Sequence, residues 1–377
     1  IKLKLNCNQS LKEINNFWIS KSNTINWDTN CKDLIVETVN NKQRKIKLFD
    51  NPVLNTNLPI NFEDLTSIED VILGEKIGKN FYPSEKDIKI NQNLKVSKNL
   101  NLVLKDNQKL LLNNSSTIVF LGDVKFNGSN KNKILIQGIG PGYGSIISYK
   151  NNFYAKNLII KDLIAPQIEG LLFFGGVNIV KSKIILENVD FFNSKSEDAL
   201  NLIDSSSDIS NLSFQNTQSD ALDVDSGSIN INRVSCKNIG NDCLDFSNSD
   251  AVINHVFTSN VQDKSISVGE NSKVKIKKIN IDNSEIGIAV KDNSKTYIDL
   301  ANIKNSSLPI AVFVKKEEYG PAHLIIDQMK LTNSKNEFLV DDRSVLKVNG
   351  VEYKGTKSGS VIESYLYGNV YGKATAR

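Results

Sequence analysis

The chain is poor in the residues that build metal sites and disulfide frameworks. Its 377 residues include two His, one Met, two Trp, seven Pro and four Cys. So few His argues against a multi-His metal site, and four Cys over this length exclude a disulfide-dense scaffold. No apolar run reaches the roughly 18 residues that a membrane-spanning helix needs. Basic residues exceed acidic ones by only four, too few for the global positive field that nucleic-acid binding uses. Apolar content of 40% and charged content of 23% fit a soluble globular chain rather than a disordered one. The length allows two to three domains at roughly 100–200 residues each. The start at Ile1 rather than Met is what a processed or truncated product would show, with any targeting signal lost. The one excess is Asn, about 50 residues or one in eight.

That excess belongs to a repeat. Asp198-Ala-Leu-Asn-Leu-Ile203, Asp220-Ala-Leu-Asp-Val-Asp225 and Asp242-Cys-Leu-Asp-Phe-Ser247 align at a step of 22 residues. Lys264-Ser-Ile-Ser-Val-Gly269 and Ile286-Gly-Ile-Ala-Val-Lys291 continue the frame. Leu200, Leu222, Leu244, Ile266 and Ile288 form one apolar column, and Leu202, Val224, Phe246, Val268 and Val290 a second. A third column is polar: Asn193, Asn216, Asn238, Asn260, Asn283 and Asn305, at steps of 22 or 23. The residues before each Asn alternate apolar and polar, the period of a strand with one buried face. A further short strand, such as Ser228–Asn232 or Lys273–Lys277, lies within each coil.

Three short strands per 22 residues, separated by Asn, Ser, Gly and Asp, are too little chain for a propeller blade, whose repeats run about 40 or more. They predict an all-β fold, a right-handed single-stranded parallel β-helix of about ten coils stacked about 4.7–4.9 Å apart. The Asn column then reads as a turn ladder of buried amides, each pairing with main chain and with the Asn above and below. Cys236 stands at a Phe position and reads as a buried thiol. In this coil geometry Cys236 and Cys243 face opposite ways and should not pair, whereas Cys7 and Cys31 are candidates for a disulfide. Residues 1–88 lack the period and are expected to form a small β-rich module and N-terminal cap, residues 89–349 the β-helix, and residues 350–377 a C-terminal cap. Open solenoid ends need such covers because they are pairing edges.

Charge is unevenly spread. From Asp190 to Asp250 there are eleven acidic and three basic residues, so this stretch carries −8 and the rest of the chain +12. Asp198, Asp220 and Asp242, then Asn201, Asp223 and Asp245, fall at outward positions of successive first strands. Stacked carboxylates about 5 Å apart repel, so some should titrate high or hold a cation. Such a row suits acid–base work, sugar binding or Ca²⁺ at Asp223 and Asp245; a solvated face that discourages aggregation is the plainer alternative. No other cofactor is required. His255 and His323 are isolated in the repeat and read as surface or turn residues.

Asp220-Ala-Leu-Asp, Asn241-Asp-Cys-Leu-Asp, Asp263-Lys-Ser-Ile-Ser-Val-Gly and Ile286-Gly-Ile-Ala-Val-Lys resemble four successive coils of the polygalacturonase branch of the pectate-lyase-like β-helices. The resemblance covers about 75 residues. It sets Asp220 on that family's first catalytic Asp, Asp242 on the second Asp of its pair and Lys291 on its substrate-binding Lys. Asn241 stands where the family has its general acid, Lys264 where it has His, and Ala289 where it has Arg. An Asn cannot protonate a leaving glycosidic oxygen, so hydrolysis by that scheme is not implied. β-Helix lyases use a basic side chain as base beside carboxylate-held Ca²⁺, a role open to Lys264 with Asp220, Asp223, Asp242 and Asp245. Ser196–Asn201, Asp263–Glu270, Ile286–Asp292 and Glu318–Ala322 more closely resemble the β-helix repeat regions found beside spore-coat-type kinase domains and in bacterial surface proteins, which imply no established activity.

Two functions are therefore expected. One is an extracellular or surface β-helix that recognises or cleaves a carbohydrate polymer or cell-surface glycan, as a divergent hydrolase or lyase. Its catalytic candidates are Asp220, Asp242 and Lys264, with Asp198, Asn201, Asp223, Asn241, Asp245 and Lys291 binding. The other is a non-catalytic structural or adhesive surface module or virion-attached spike; the residues leave the oligomeric state open, a trimer being compatible with a spike. Neither involves nucleic acid or a membrane span.

Overall fold

A computed structural model describes residues 2–7, 10–14, 31–37, 43–47, 62–168, 172–334, 337–368 and 370–372. The chain divides into two compact units, 1–61 and 62–377. In the first, strands Lys2–Cys7, Ser10–Ile14, Cys31–Glu37 and Gln43–Lys47 form a four-stranded antiparallel sheet. Its register sets Cys7 across from Cys31. Trp18 and Trp27 lie outside the described residues.

The second unit is a parallel β-solenoid of about 11 turns. In its first file of strands, Ile118 pairs with Ile146, then in turn Val177, Leu200, Leu222, Leu244, Ile266, Ile288 and Ile310. The predicted apolar column is thus one stack, and each of its members from Leu200 to Ile288 is at most 1% exposed. Parallel in-register pairing forces this outcome: equivalent residues lie about 4.8 Å apart, so an apolar residue in one coil packs on its counterpart. A second file starts from Phe81–Leu102–Val124 and a third from Ile88–Leu110–Ile136. Pairing begins at Thr66–Ser67 with Leu94–Lys95, upstream of residue 89. The early coils hide from a 22-residue search because their first-file steps are longer. Leu94, Ile118, Ile146 and Val177 are separated by loops such as 138–143.

Two expectations are corrected. The asparagines at 193, 216, 238, 260 and 283 do stack, Asn216 Nδ2 to Asn193 Oδ1 at 3.2 Å and Asn238, Asn260 and Asn283 each to the one below at 2.8–2.9 Å, whereas Asn305 Nδ2 donates to Asp282 Oδ1 at 2.8 Å. They are exposed, however, not buried. All six have φ between 53° and 61°, the left-handed region that Asn tolerates better than most residues. Turn geometry selects them, and the amide file follows. Second, Cys236 and Cys243 are joined in a disulfide. Strand alternation does not carry across a turn, and the turn at 239–243 swings Cys243 back into the core, where it is fully buried. One coil later Thr258 and Ser265 occupy the same two places, and their hydroxyls bond at 2.8 Å.

Residues 350–377 include a helix, Gly359–Leu366, which lies against the flank of the last coils. Ile362, Leu366 and Tyr371 pack on Ile286, Ala289, Leu308, Ala311, Phe313 and Leu339. Gly359 is required by close approach: a Cβ there would sit 2.1 Å from the Val314 carbonyl oxygen. The column predicts its own cost of disruption. Leu244→Ala should lower stability by about 2–5 kcal/mol, read as a lower urea midpoint at unchanged slope.

Candidate functional site

The first-file strands present three outward rows to one face. One row runs Asp198, Asp220, then past Asp242 to Lys264, Ile286 and Leu308. The second runs Asn178, Asn201, Asp223, Asp245, Ser267, Ala289 and Ala311. The third runs Val180, Ile203, Asp225, Ser247 and Gly269, with Lys291 and Phe313 beyond. The face therefore changes along the axis from amide and acidic, through two lysines, to apolar.

Several of these carboxylates brace the coil above. Asp220 Oδ1 accepts from the Asp242 N–H at 2.7 Å and from Asn241 Nδ2 at 2.6 Å. Asp242 Oδ1 accepts from the Lys264 N–H at 2.9 Å. Asn201 Nδ2 donates to Asp198 Oδ2 at 3.0 Å and to Asp223 Oδ2 at 3.3 Å. Among the described residues, two buried oxygens on this face, Asn201 Oδ1 and Asp245 Oδ1, have no donor. A buried acceptor left unbonded costs about 1–3 kcal/mol unless something satisfies it.

Burial and crowding raise the acids. Burial first, with the charges of Glu197, Asp225 and Asp245, pushes Asp198 up to about 6 against the hydrogen bond from Asn201. Burial, then Asp245 and Asp225, pushes Asp223 up to about 10. Asp220 and Asp242 are also raised, chiefly by burial, Asp220 further by Asp242; Lys264 only partly offsets the burial of Asp242. Asp225 rises for the same reasons, burial and then Asp245.

Lys264 is 2% exposed. Its Nζ lies 2.5 Å from Asp263 Oδ2 and 3.4 Å from Asp242 Oδ1. Burial alone would lower its pKa, but Asp242 and Asp263 outweigh it and hold the ammonium protonated. A lysine so held is a poor base. Lys291 is also buried, with Nζ 3.1 Å from Ser267 Oγ; burial is outweighed by the charge of Asp245. Its stem lies across Gly269, where a Cβ would come within 2.6 Å of Lys291 Cε.

The structure thus brings Asp198, Asn201, Asp220, Asp223, Asn241, Asp242, Asp245, Lys264 and Lys291 onto one face. Asp223 and Asp245 are register partners, but among the described residues no three His, Cys, Asp or Glu side chains are grouped to hold a metal ion, and calcium there finds no support. Two flanking residues were not legible as part of the site. Phe174, 46% exposed, precedes Gly175, the register partner of Asp198, and its carbonyl accepts from the Asp198 N–H at 3.3 Å. Tyr367, at the end of the C-terminal helix, is 45% exposed, and its ring centre lies 5.1 Å from Lys264 Nζ and 4.1 Å from Lys315 Nζ. Both come from outside the repeat, so no column predicts them. Phe246 is fully buried in the core. His255 lies on another face, in register with Arg233 and Lys278 and stacked near Phe257.

No protein-family model matches the chain, and no curated protein matches it. Among solved structures, the periplasmic alginate epimerase AlgG, in a double-mutant form, is similar with 9% identity and a TM-score of 0.30. That match covers 75% of this chain and 79% of that one.

The raised carboxyls give a pH dependence with a definite sign. Their folded-state pKa values exceed the ordinary value near 3.8, so the folded chain binds protons more tightly than the unfolded one. The stability this confers is whole below about pH 4 and is lost as pH rises through about 6 for Asp198 and on toward about 10 for Asp223. The Tm should fall between pH 5 and pH 8, and Asp223→Asn should make that fall shallower; a Tm unchanged by the substitution at both pH values would contradict the assignment.

Proposed function

We propose that the outward face of the first strand file binds a polysaccharide, with Asp198, Asn201, Asp220, Asp223, Asp245 and Lys291 as its polar contacts. The observation that carries this reading is the cluster of half-buried carboxyls, Asp220, Asp223, Asp225 and Asp245, between the exposed rings of Phe174 and Tyr367. Such a cluster of carboxyl oxygens is complemented by a ligand rich in hydroxyl groups, which both donate and accept. Phe174 and Tyr367 supply exposed rings at its two ends, the apolar platforms on which sugar faces stack. An excess of carboxylates favours neutral or amino sugars over acidic ones. The buried disulfide suits an oxidising compartment, in keeping with an extracellular or surface setting, and no helix among the described residues is long and apolar enough to cross a membrane.

Catalysis on this face would fall to Asp223, which burial keeps protonated near neutral pH, with a neighbouring carboxylate as its partner. A second reading, adhesion without chemistry, is favoured by a different observation: Asp220 and Asp242 spend oxygens on backbone N–H groups of the next coil, and Lys264 is locked between acids.

A panel of neutral, amino and acidic glycans separates these readings. Neutral or amino glycans should bind, and Phe174→Ala and Asn201→Ala should each weaken binding by about 5- to 30-fold, in line with loss of one buried contact worth 1–2 kcal/mol. Unchanged binding in both variants would remove this face. Release of reducing ends, abolished by Asp223→Asn, would mark an enzyme; binding without release would mark an adhesin.

A further inference from the structure

A groove lies around the corner from the acidic face. In five successive coils the turn after the first-file strand carries a left-handed residue: Lys150, Lys181, Asp204, Ser226 and Asn248, all with φ between 49° and 55°. Asn151 follows in the first of these coils, its amide donating to the Phe120 and Gly122 carbonyls, and a small residue holds the place in the next six: Ser182, Ser205, Gly227, Ser249, Ser272 and Ser294. The serine hydroxyls turn inward onto backbone groups. Ser249 Oγ, for example, donates to the Val224 carbonyl at 2.8 Å and accepts from the Gly227 N–H at 3.0 Å. With its floor side chains so short and turned inward, the corner is left as a furrow. It has a volume of about 1030 Å³ and runs along the solenoid from Asp123 to Lys295.

Five exposed lysines line this furrow: Lys150, Lys181 and Lys183 toward one end, Lys273 and Lys295 toward the other. None of them enters any of the ion pairs among the described residues; Lys150 lies 5.0 Å from the Tyr149 ring centre. Three acids share the furrow. Asp123 is engaged by the Asn152 backbone and side-chain N–H groups at 3.0 Å, and Asp204 and Asp250 lie between the lysine clusters. Lys183, Ser206, Ser228, Asp250 and Lys273 are successive register partners, so the clusters stand four coils apart, about 19 Å. Among the described residues no aromatic ring lines the furrow, which disfavours single-stranded nucleic acid, whose bases need stacking partners.

We propose that this furrow binds a linear glycan bearing anionic substituents, one stretch engaging Lys150, Lys181 and Lys183 and a later stretch Lys273 and Lys295. The two clusters act as a bivalent receptor, so affinity depends on ligand length: a chain that spans both gains by effective concentration over one that reaches a single cluster. The site is separate from the acidic face and recognises the opposite charge.

Calorimetric titration with size-defined sulfated oligosaccharides and size-defined oligouronates tests this, with a neutral glucan and a single-stranded oligonucleotide as controls. Oligomers long enough to span about 19 Å should bind at least tenfold more tightly than short ones, and added salt should weaken them. The double variants Lys181→Ala/Lys183→Ala and Lys273→Ala/Lys295→Ala should each bring the long oligomer down to the affinity of the short one. Circular dichroism should be unchanged, since all four side chains are exposed. Asp223→Asn should leave this binding intact, which separates the furrow from the acidic face. Binding in the sulfated arm, the uronate arm or both supports the proposal and identifies the substituent. No binding in either arm, no dependence on length, indifference to both double variants, or tighter binding of the oligonucleotide would overturn it.

Discussion

Everything in this molecule depends on parallel, in-register stacking of one coil on the next. Adjacent strands pair with equivalent residues directly above one another, at a spacing of about 4.8 Å. Whatever a position holds, it meets its own counterpart twice. Apolar columns such as Leu200 to Ile288 therefore fuse into a continuous core. Turn asparagines fall into hydrogen-bonded files. Carboxylates fall into rows that repel and desolvate one another. One rule thus produces both the stability of the solenoid and the electrostatic tension on its outer face.

The face shows how that tension is met. Where Asp220 and Asp242 recur, each spends an oxygen on the backbone N–H of the coil above. Where the column changes to Lys264, the ammonium is placed between Asp242 and Asp263. Among the described residues no ion pair reaches the acids at 198, 223 and 225, and burial keeps them inclined to hold protons. Beyond Lys264 the same rows become Ile286, Ala289, Leu308 and Ala311, and the C-terminal helix covers them. The polar stretch is consequently bounded on one side by protein, with Tyr367 at the boundary. The corner furrow arises from the same stacking, because a left-handed turn followed by a small residue, repeated coil after coil, is a groove.

Much of this was legible in the residues. The 22-residue step, the two apolar columns and the row of outward acids are sequence facts, and the strands at 198–203, 220–225, 244–247, 286–291 and 308–313 fall where the step puts them. The disulfide was not legible, because alternation fails at turns and only the path through residues 239–243 turns Cys243 inward. Nor was the exposure of the asparagine file, since a residue chosen for its backbone angle need not be buried. The part played by Phe174 and Tyr367 was hidden for a third reason: both lie outside the period.

The sequence by itself determined the solenoid, its coil length and which residues share a column, because periodicity is a one-dimensional property that parallel pairing converts directly into stacking. The tertiary structure decided what surrounds each column. It put a helix over the apolar end of the face, locked Lys264 between two acids, left Asn201 and Asp245 with unsatisfied oxygens and opened the furrow at the corner. Those outcomes depend on segments that break the repeat and on the distances and burial that their packing imposes, and neither is written in the period.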